Sequence, residues 1–131
     1  MRWCRRMRDA RGNAAIEFAI LAPVLVLFIL GIFETGRLYF VRGSMRYAIN
    51  EAARYAMVFA TAQNTAIEQR VRDNLIGIPA ADVTATVTDQ VIGGINYKQI
   101  SLSYNFSSIV GSFLPWPSIA LNTQTAVPII P

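Results

Sequence analysis

Three hydrophobic patterns follow one another along the chain, and the first is an unbroken apolar run. Residues 18–33 read FAILAPVLVLFILGIF and carry no charge. Extended back to Asn13 and past the single charge of Glu17, the run spans about 31 Å as a helix, the thickness of a bilayer core. No Ala-x-Ala cleavage site follows, and the chain returns at once to a helical pattern. Residues 13–33 are therefore predicted to form a retained membrane-spanning helix.

The second pattern, over residues 34–60, repeats apolar positions at steps of three and four, the period of one helical face. It predicts an amphipathic helix continuous with the membrane segment. Gly36 and Gly43 weaken a helix by about 1 kcal/mol each relative to Ala, so a bend near either is compatible with the pattern. The apolar face comprises Leu38, Val41, Met45, Ala48, Ala52, Tyr55 and Phe59, and the opposite polar stripe comprises Arg42, Arg46, Asn50 and Arg54.

A shorter helix is predicted over residues 65–75. Asn64 or Thr65 is placed to cap its N-terminus, and Glu68 is placed to return a hydrogen bond to the capping amide. Glycine and proline within residues 77–79 then end helical structure. The apolar residues that fall on one side of this helix are Ala66, Ile67, Val71 and Leu75.

The third pattern alternates apolar and polar residues with a period of two, which is typical of half-buried strands. Two such runs occupy residues 83–88 and 99–106, and residues 93–96 between them favour a hairpin connection. A third extended run covers residues 120–127. The predicted fold class is therefore α+β, with a long N-terminal helix, a short second helix and a small antiparallel sheet of about three strands. The inward residues expected in the third run are Leu121 and Val127.

The charge is concentrated at the N-terminus. The chain carries 12 Lys plus Arg against 8 Asp plus Glu, a net charge of +4, and the basic leader, residues 1–12, contributes all of that excess. The remainder is neutral and offers no basic patch, so no nucleic-acid partner is expected. Positive charge favours the cytoplasmic side of a membrane, which leaves residues 61–131 as a small extracytoplasmic α+β domain. The leader's arginines are Arg2, Arg5, Arg6, Arg8 and Arg11.

The residue inventory argues against catalysis. The chain has no His, and Cys4 is its single thiol, so the commonest general base, the commonest metal ligand and an intramolecular disulfide are all excluded. The remaining enzymatic candidates are Asp73, Asp82, Asp89 and Lys98. They fall at predicted helix-end and loop positions, where solvated surface charge is the ordinary explanation. No catalytic residue, cofactor or metal site is predicted.

The junction between the leader and the apolar run carries the functional signal. Residues 11–19 read RGNAAIEFA, so that a basic leader ends at Gly12 and a carboxylate, Glu17, stands five positions further on. This arrangement resembles the precursors of type IV pilin-like proteins. Together with Pro23 and the segments at residues 31–39 and 51–56, it is similar to the TadE-like family of pseudopilins from tight-adherence pilus systems.

The resemblance implies a processing site. A prepilin peptidase would cut between Gly12 and Asn13, leaving a mature chain whose fifth residue is Glu17. In that family the matching glutamate approaches the freed α-amino group of a neighbouring subunit, which offsets the cost of burying the charge and fixes the stagger between helices. Phe18 and Pro23 are implied in the same assembly contacts. The implied partners are the peptidase, other pilin or pseudopilin subunits and an inner-membrane assembly platform.

Two features favour a minor pilin over the bulk fibre subunit. Phe18 follows the glutamate, whereas the major subunits of these systems typically have Tyr there, and the chain is considerably longer than those subunits. The expected function is assembly of a tight-adherence pilus, and hence surface adhesion or biofilm formation. The expected location is the bacterial inner membrane, as a single span with a cytoplasmic N-terminus, with incorporation into a surface pilus as a further expectation.

Two other interpretations use the same hydrophobic run. The first is an unprocessed, single-span anchored binding domain, which needs neither Gly12 nor Glu17. The second is an exported protein whose first thirty-odd residues are a signal sequence, which would be recovered from the soluble periplasmic fraction with an N-terminus near Thr35. The mass of the intact protein distinguishes all three, because each begins at a different residue.

Overall fold

The computed structural model describes the backbone of residues 3–109, 111 and 118–129, and the side chains of these residues from Gly12 onward. The arginine side chains of the predicted leader therefore lie outside the described residues. Most of the loop before the third predicted strand does as well. The chain divides into two compact units, Met1–Thr35 and Gly36–Pro131.

The first helix, α1 (Trp3–Val58), has 56 residues. It continues without interruption through Pro23, Gly36 and Gly43, which confirms the predicted long apolar and amphipathic helix. Two glycines cost about 1 kcal/mol each, too little to break a helix of this length. The part from Gly12 to Val58 is long and apolar enough to cross a membrane. None of its most apolar stretch is buried within the chain.

The amphipathic half of α1 buries one face in the second unit, as predicted. Its polar stripe is exposed throughout. Phe59, which the pattern assigned to the buried face, is instead 53% exposed and lies one residue beyond the helix, with its ring 4.8 Å from that of Tyr55. The buried residues of α1 are Val41, Ser44, Met45, Ala48, Ile49, Ala52, Ala53 and Ala56.

The second helix, α2 (Asn64–Asp73), has Gln63 at its N-cap, with no side-chain capping bond. The predicted capping box is therefore wrong. Glu68 accepts a hydrogen bond from the backbone N–H of Val87 at 3.1 Å, because a tertiary partner is within its reach. Ala66, expected to face inward, is exposed.

A short 3₁₀ turn at Ala80–Asp82 leads into a three-stranded antiparallel sheet, as predicted. Its strands are β1 (Val83–Ile92), β2 (Ile95–Phe106) and β3 (Ile119–Ile129), in the spatial order β1-β2-β3. Each extends beyond the run from which it was predicted. β1 and β2 form a hairpin in which Ile92 lies opposite Ile95.

The hairpin turn explains why two glycines stand between β1 and β2. Gly93 and Gly94 have φ angles of 60° and 82°. Positive φ at both central residues defines a type I′ turn, whose twist matches that of the flanking strands. Side chains with a Cβ are strained in this conformation, so the turn fixes the β1–β2 register.

The core lies between α1, α2 and the inner face of the sheet. The period of two predicted which strand residues face it, including the partial burial of Leu121 and the burial of Val127. Small alanines on α1 fill the remaining space opposite branched residues. The buried apolar residues beyond α1 are Ile67, Val71, Ile78, Val83, Ala85, Val87, Ile100, Leu102, Phe106 and Val127.

Replacing Ala52 with Leu is expected to lower the free energy of unfolding by about 1–3 kcal/mol, because overpacking forces neighbouring side chains and backbone to shift. Ala52 has no exposed surface. Ala66→Leu is the matched control: Ala66 is an exposed helical alanine, and its replacement should change the free energy by less than about 0.5 kcal/mol. Urea unfolding of the detergent-solubilised chain, followed by near-UV circular dichroism, measures both. Equal losses in the two variants would contradict the packing.

Candidate functional site

The apolar helix segment, residues 18–33, presents its side chains outward. Phe18, Phe28 and Phe33 are 69%, 69% and 73% exposed. Only Ala22 and Gly31 within this segment are half-buried. A contiguous apolar surface of this length marks a region that is covered by lipid or by another protein. The described part of the chain supplies no such cover, so the segment requires lipid or neighbouring helices around it.

Asn13 and Glu17 lie on one face of α1, one turn apart. The side-chain amide Nδ2 of Asn13 donates a hydrogen bond to Oε1 of Glu17 at 3.3 Å. Residues four apart on a helix are neighbours, and amide–carboxylate pairs at this spacing are favourable. From the sequence, the partner of Glu17 was expected in a neighbouring subunit, and its contact with Asn13 was not predicted. The spacing of four could have indicated it.

Gly12 is helical, and a Cβ added to it would meet no described atom within 4 Å. A protease binds its substrate in extended form, so the turn around Gly12 must unwind before the Gly12–Asn13 bond is cut. Glycine lowers the cost of leaving a helix by about 1 kcal/mol relative to Ala. The position therefore combines open surroundings with ease of unwinding.

Phe18 and Pro23 lie further along the same exposed helix. Pro23 has no N–H, so the carbonyl of Ala19, four residues earlier, receives no helical hydrogen bond from it. Pro23 stands about 9 Å along the axis from Glu17. The predicted site residues are therefore distributed along one helix and do not form a cluster, as suits a contact surface and not a catalytic centre.

Residues 12–54 match the family model described as TadE-like protein. This helical segment is similar to the TadE-like family. The match covers about a third of the chain, begins at Gly12 and includes Asn13, Glu17, Phe18 and Pro23, which are all the predicted site residues. The comparisons with curated proteins and with solved structures give no match. The match therefore relates the helical segment, and not the whole chain, to the TadE-like family.

Within the TadE-like segment, Arg37 makes contacts that the sequence did not reveal. Its guanidinium carbon lies 4.1 Å from the ring centroid of Phe106, and Nη2 donates a hydrogen bond to the carbonyl of Ser107. A guanidinium over an aromatic face is attracted by the ring quadrupole. Arg37 therefore fastens α1 to the end of β2.

The outer face of the sheet carries a shallow cavity of about 420 Å³. Its side chains supply hydroxyl and amide groups and no titratable group, so the cavity offers no general acid or base. Among the described residues, no group of three or more His, Cys, Asp or Glu is placed to hold a metal ion. The cavity is lined by Thr84, Thr86, Ser101, Leu102, Ser103, Asn122, Thr123 and Gln124.

Lys98 was expected to be a solvated surface charge, and this expectation is wrong because the residue is only 8% exposed. Its Nζ donates hydrogen bonds to Oδ1 of Asn64 at 2.6 Å and to Oδ1 of Asp89 at 2.8 Å. Nδ2 of Asn64 donates to Oδ2 of Asp89 at 3.1 Å. This Lys98 network joins the start of α2 to the β1–β2 hairpin. The exposed Asp73 and Asp82 are not part of it.

Strand alternation could have revealed the Lys98 network. Lys98 has the same parity as buried Ile100, Asp89 has the same parity as buried Val87, and the two are directly opposite in the register. The hydrogen bond from Lys98, and then that from Asn64, hold the pKa of Asp89 below the ordinary value of an aspartate. A lowered folded-state pKa adds stability above the unfolded pKa, and that stability is lost as the pH falls through the folded value.

Replacing Asp89 with Asn is expected to lower the free energy of unfolding by about 1–3 kcal/mol at neutral pH, because the buried ammonium of Lys98 loses its charged partner. The advantage of the wild type should shrink as the pH falls through the lowered folded-state pKa of Asp89, because its carboxylate becomes protonated there. Thermal unfolding of the solubilised chain across this pH range measures the difference. Asp82→Asn, an exposed acid outside the network, is the control. A difference that does not vary with pH would contradict this account.

Proposed function

We propose that this chain is a minor pilin of a tight-adherence system, cut by a prepilin peptidase after Gly12 and assembled through its apolar helix into an adhesive pilus. The order of features along α1 carries the proposal. The TadE-like match begins at Gly12, and the exposed apolar helix segment begins immediately after Glu17. The processing site, the carboxylate and the assembly surface therefore follow one another on a single helix.

The leader explains how the precursor is held before assembly. Its five arginines keep the N-terminus in the cytoplasm, while the second unit lies on the other side of the inner membrane. Cleavage removes this anchor and frees an α-amino group at Asn13. The apolar helix segment then leaves lipid and packs against the helices of other pilin subunits, where van der Waals contacts and interhelical hydrogen bonds replace lipid contacts.

Glu17 sets the register of that packing. A carboxylate at the edge of an apolar helix is costly without a partner. In the precursor its partner is the neutral amide of Asn13. The freed α-amino group of a neighbouring subunit offers a charged donor, and charge-assisted hydrogen bonds are roughly twice as strong as neutral ones. Replacing the Asn13 amide by this α-amino group stabilises the one stagger between helices that brings the two charges together.

The alternative function is an unprocessed, single-span anchored binding domain. It uses the same helix and orientation, but it requires neither cleavage at Gly12 nor a charge at Glu17. The identity of the mature N-terminus and the dependence of assembly on Glu17 therefore distinguish the two functions.

Replacing Gly12 with Val is expected to block processing in cells that contain the cognate prepilin peptidase, because the added branched and stiff side chain hinders entry into the protease cleft. Wild-type protein from the membrane fraction should lack residues 1–12 by intact-mass measurement, and the variant should retain them. Gly31→Val is the matched control, since a Cβ at either glycine meets no described atom within 4 Å.

The control must be processed like the wild type. If Gly12→Val yields the same shortened chain, the proposed processing site is wrong. If wild-type protein begins at Met1 even in the presence of the peptidase, the alternative function is correct.

Replacing Glu17 with Gln is expected to leave processing intact and to reduce incorporation into sheared surface pili at least tenfold. The amide keeps the shape of the side chain and its hydrogen bond to Asn13 but removes the charge that an α-amino group recognises. Quantitative immunoblots of the sheared and membrane fractions measure the ratio.

Asn13→Ala is the control for this experiment. It removes the side-chain donor of Asn13 but keeps the α-amino group, so incorporation should continue. Loss of incorporation in Asn13→Ala together with normal incorporation of Glu17→Gln would show that the side-chain contact, and not the charge, sets the register.

A further inference from the structure

The two edges of the sheet differ in what covers them. Along β1, α2 supplies Glu68, which accepts the outward N–H of Val87, and Asn64, which bonds Asp89. Along β3, no hydrogen bond from the described residues reaches the outer backbone. An open edge pairs readily with another strand, and proteins commonly protect such edges with charge, bulges or a covering helix.

The register identifies the backbone groups of β3 that face outward. The N–H of Val87 points away from β2, so Val87 and Ile100 are not a hydrogen-bonded pair. The flanking pairs, Thr86 with Ser101 and Thr88 with Gln99, are hydrogen-bonded. Alternate residues of β2 bond to β1 and to β3. The odd-numbered residues of β3 therefore direct their backbone N–H and C=O groups toward β2. Pro128, which has no N–H, falls on the outward set, as is usual for proline in an edge strand. The outward residues that keep an N–H are Ala120, Asn122, Gln124 and Ala126.

The outward backbone N–H and C=O groups of these four residues are complementary to the same groups of a second copy of β3. In an antiparallel pair of β3 strands from two copies, Ala120 lies opposite Ala126 and Asn122 opposite Gln124, on both sides of a two-fold axis at Thr123. Each of the four pairs exchanges two hydrogen bonds, and Pro128 ends the ladder. The strand has no charged residue, so the pairing places no like charges opposite each other.

We propose that the outer edge of β3 pairs with β3 of a second copy of this chain, joining two three-stranded sheets into one of six strands. A copy cannot offer its β1 edge instead, because α2 lies there. The contact is therefore closed after two copies and does not propagate. It is independent of whether the leader is processed.

Thr123→Cys in a Cys4→Ser background tests the pairing. At the two-fold axis the two introduced thiols form a non-hydrogen-bonded pair with Cα atoms about 4.5 Å apart, within disulfide range. Oxidation of the full chain in dilute detergent should give a species of twice the chain mass on a non-reducing gel.

Two variants make the result specific. Thr88→Cys, in the same Cys4→Ser background, is an exposed threonine on β1 and should not cross-link. Asn122→Pro added to Thr123→Cys removes an outward N–H while keeping every β2–β3 hydrogen bond, and should reduce the dimer at least tenfold. Thermal unfolding of that variant checks that it remains folded. An equal yield from Thr88→Cys, a cross-link to a different protein or the absence of any cross-link would each overturn the pairing.

Discussion

The rest of the structure depends on one constraint: the apolar helix segment has no cover within the described part of the chain. Its sixteen residues, 18–33, are uncharged, and nearly all their side chains are exposed. Burying an apolar side chain contributes about 1.5–3 kcal/mol, so leaving the whole segment in water is prohibitive. Lipid or the helices of other chains can supply the cover that this segment lacks.

The same helix also supplies the core of the second unit, and its composition changes accordingly. Residues 18–33 are apolar on all sides, as a lipid-facing helix requires. Beyond Gly36 only one face is apolar, and small residues such as Ala48 and Ala52 are completely buried in the core. Arg37 stands where the pattern changes and holds the helix to β2 through Phe106. One continuous helix therefore links an exposed apolar surface to a buried core.

Periodicity predicted the order and type of the elements because each buries a repeating set of side chains against a single core. It could not predict contacts that depend on how two elements meet. Glu68 fits a capping box in sequence, but packing of α2 against β1 gives it Val87 instead. Lys98 is charged, yet the strand alternation places its side chain on the inner face of the sheet. Its burial is stable because the ammonium group donates hydrogen bonds to Asp89 and Asn64. For the candidate site, sequence located the residues on the helix but not the contact between Asn13 and Glu17.

The distribution of charge separates the surfaces by the kind of partner each accepts. Near the N-terminus, Glu17 immediately precedes the uncharged residues 18–33, and a carboxylate beside an apolar surface favours a cationic partner. In the second unit, Lys98 is neutralised by Asp89 within the fold, and β3 carries no charge. Contacts at β3 must therefore be made by backbone donors and acceptors, which recognise strand direction and spacing and not side-chain charge. Because the two surfaces recognise different chemistry, helix packing and edge pairing can occur without competing for the same groups.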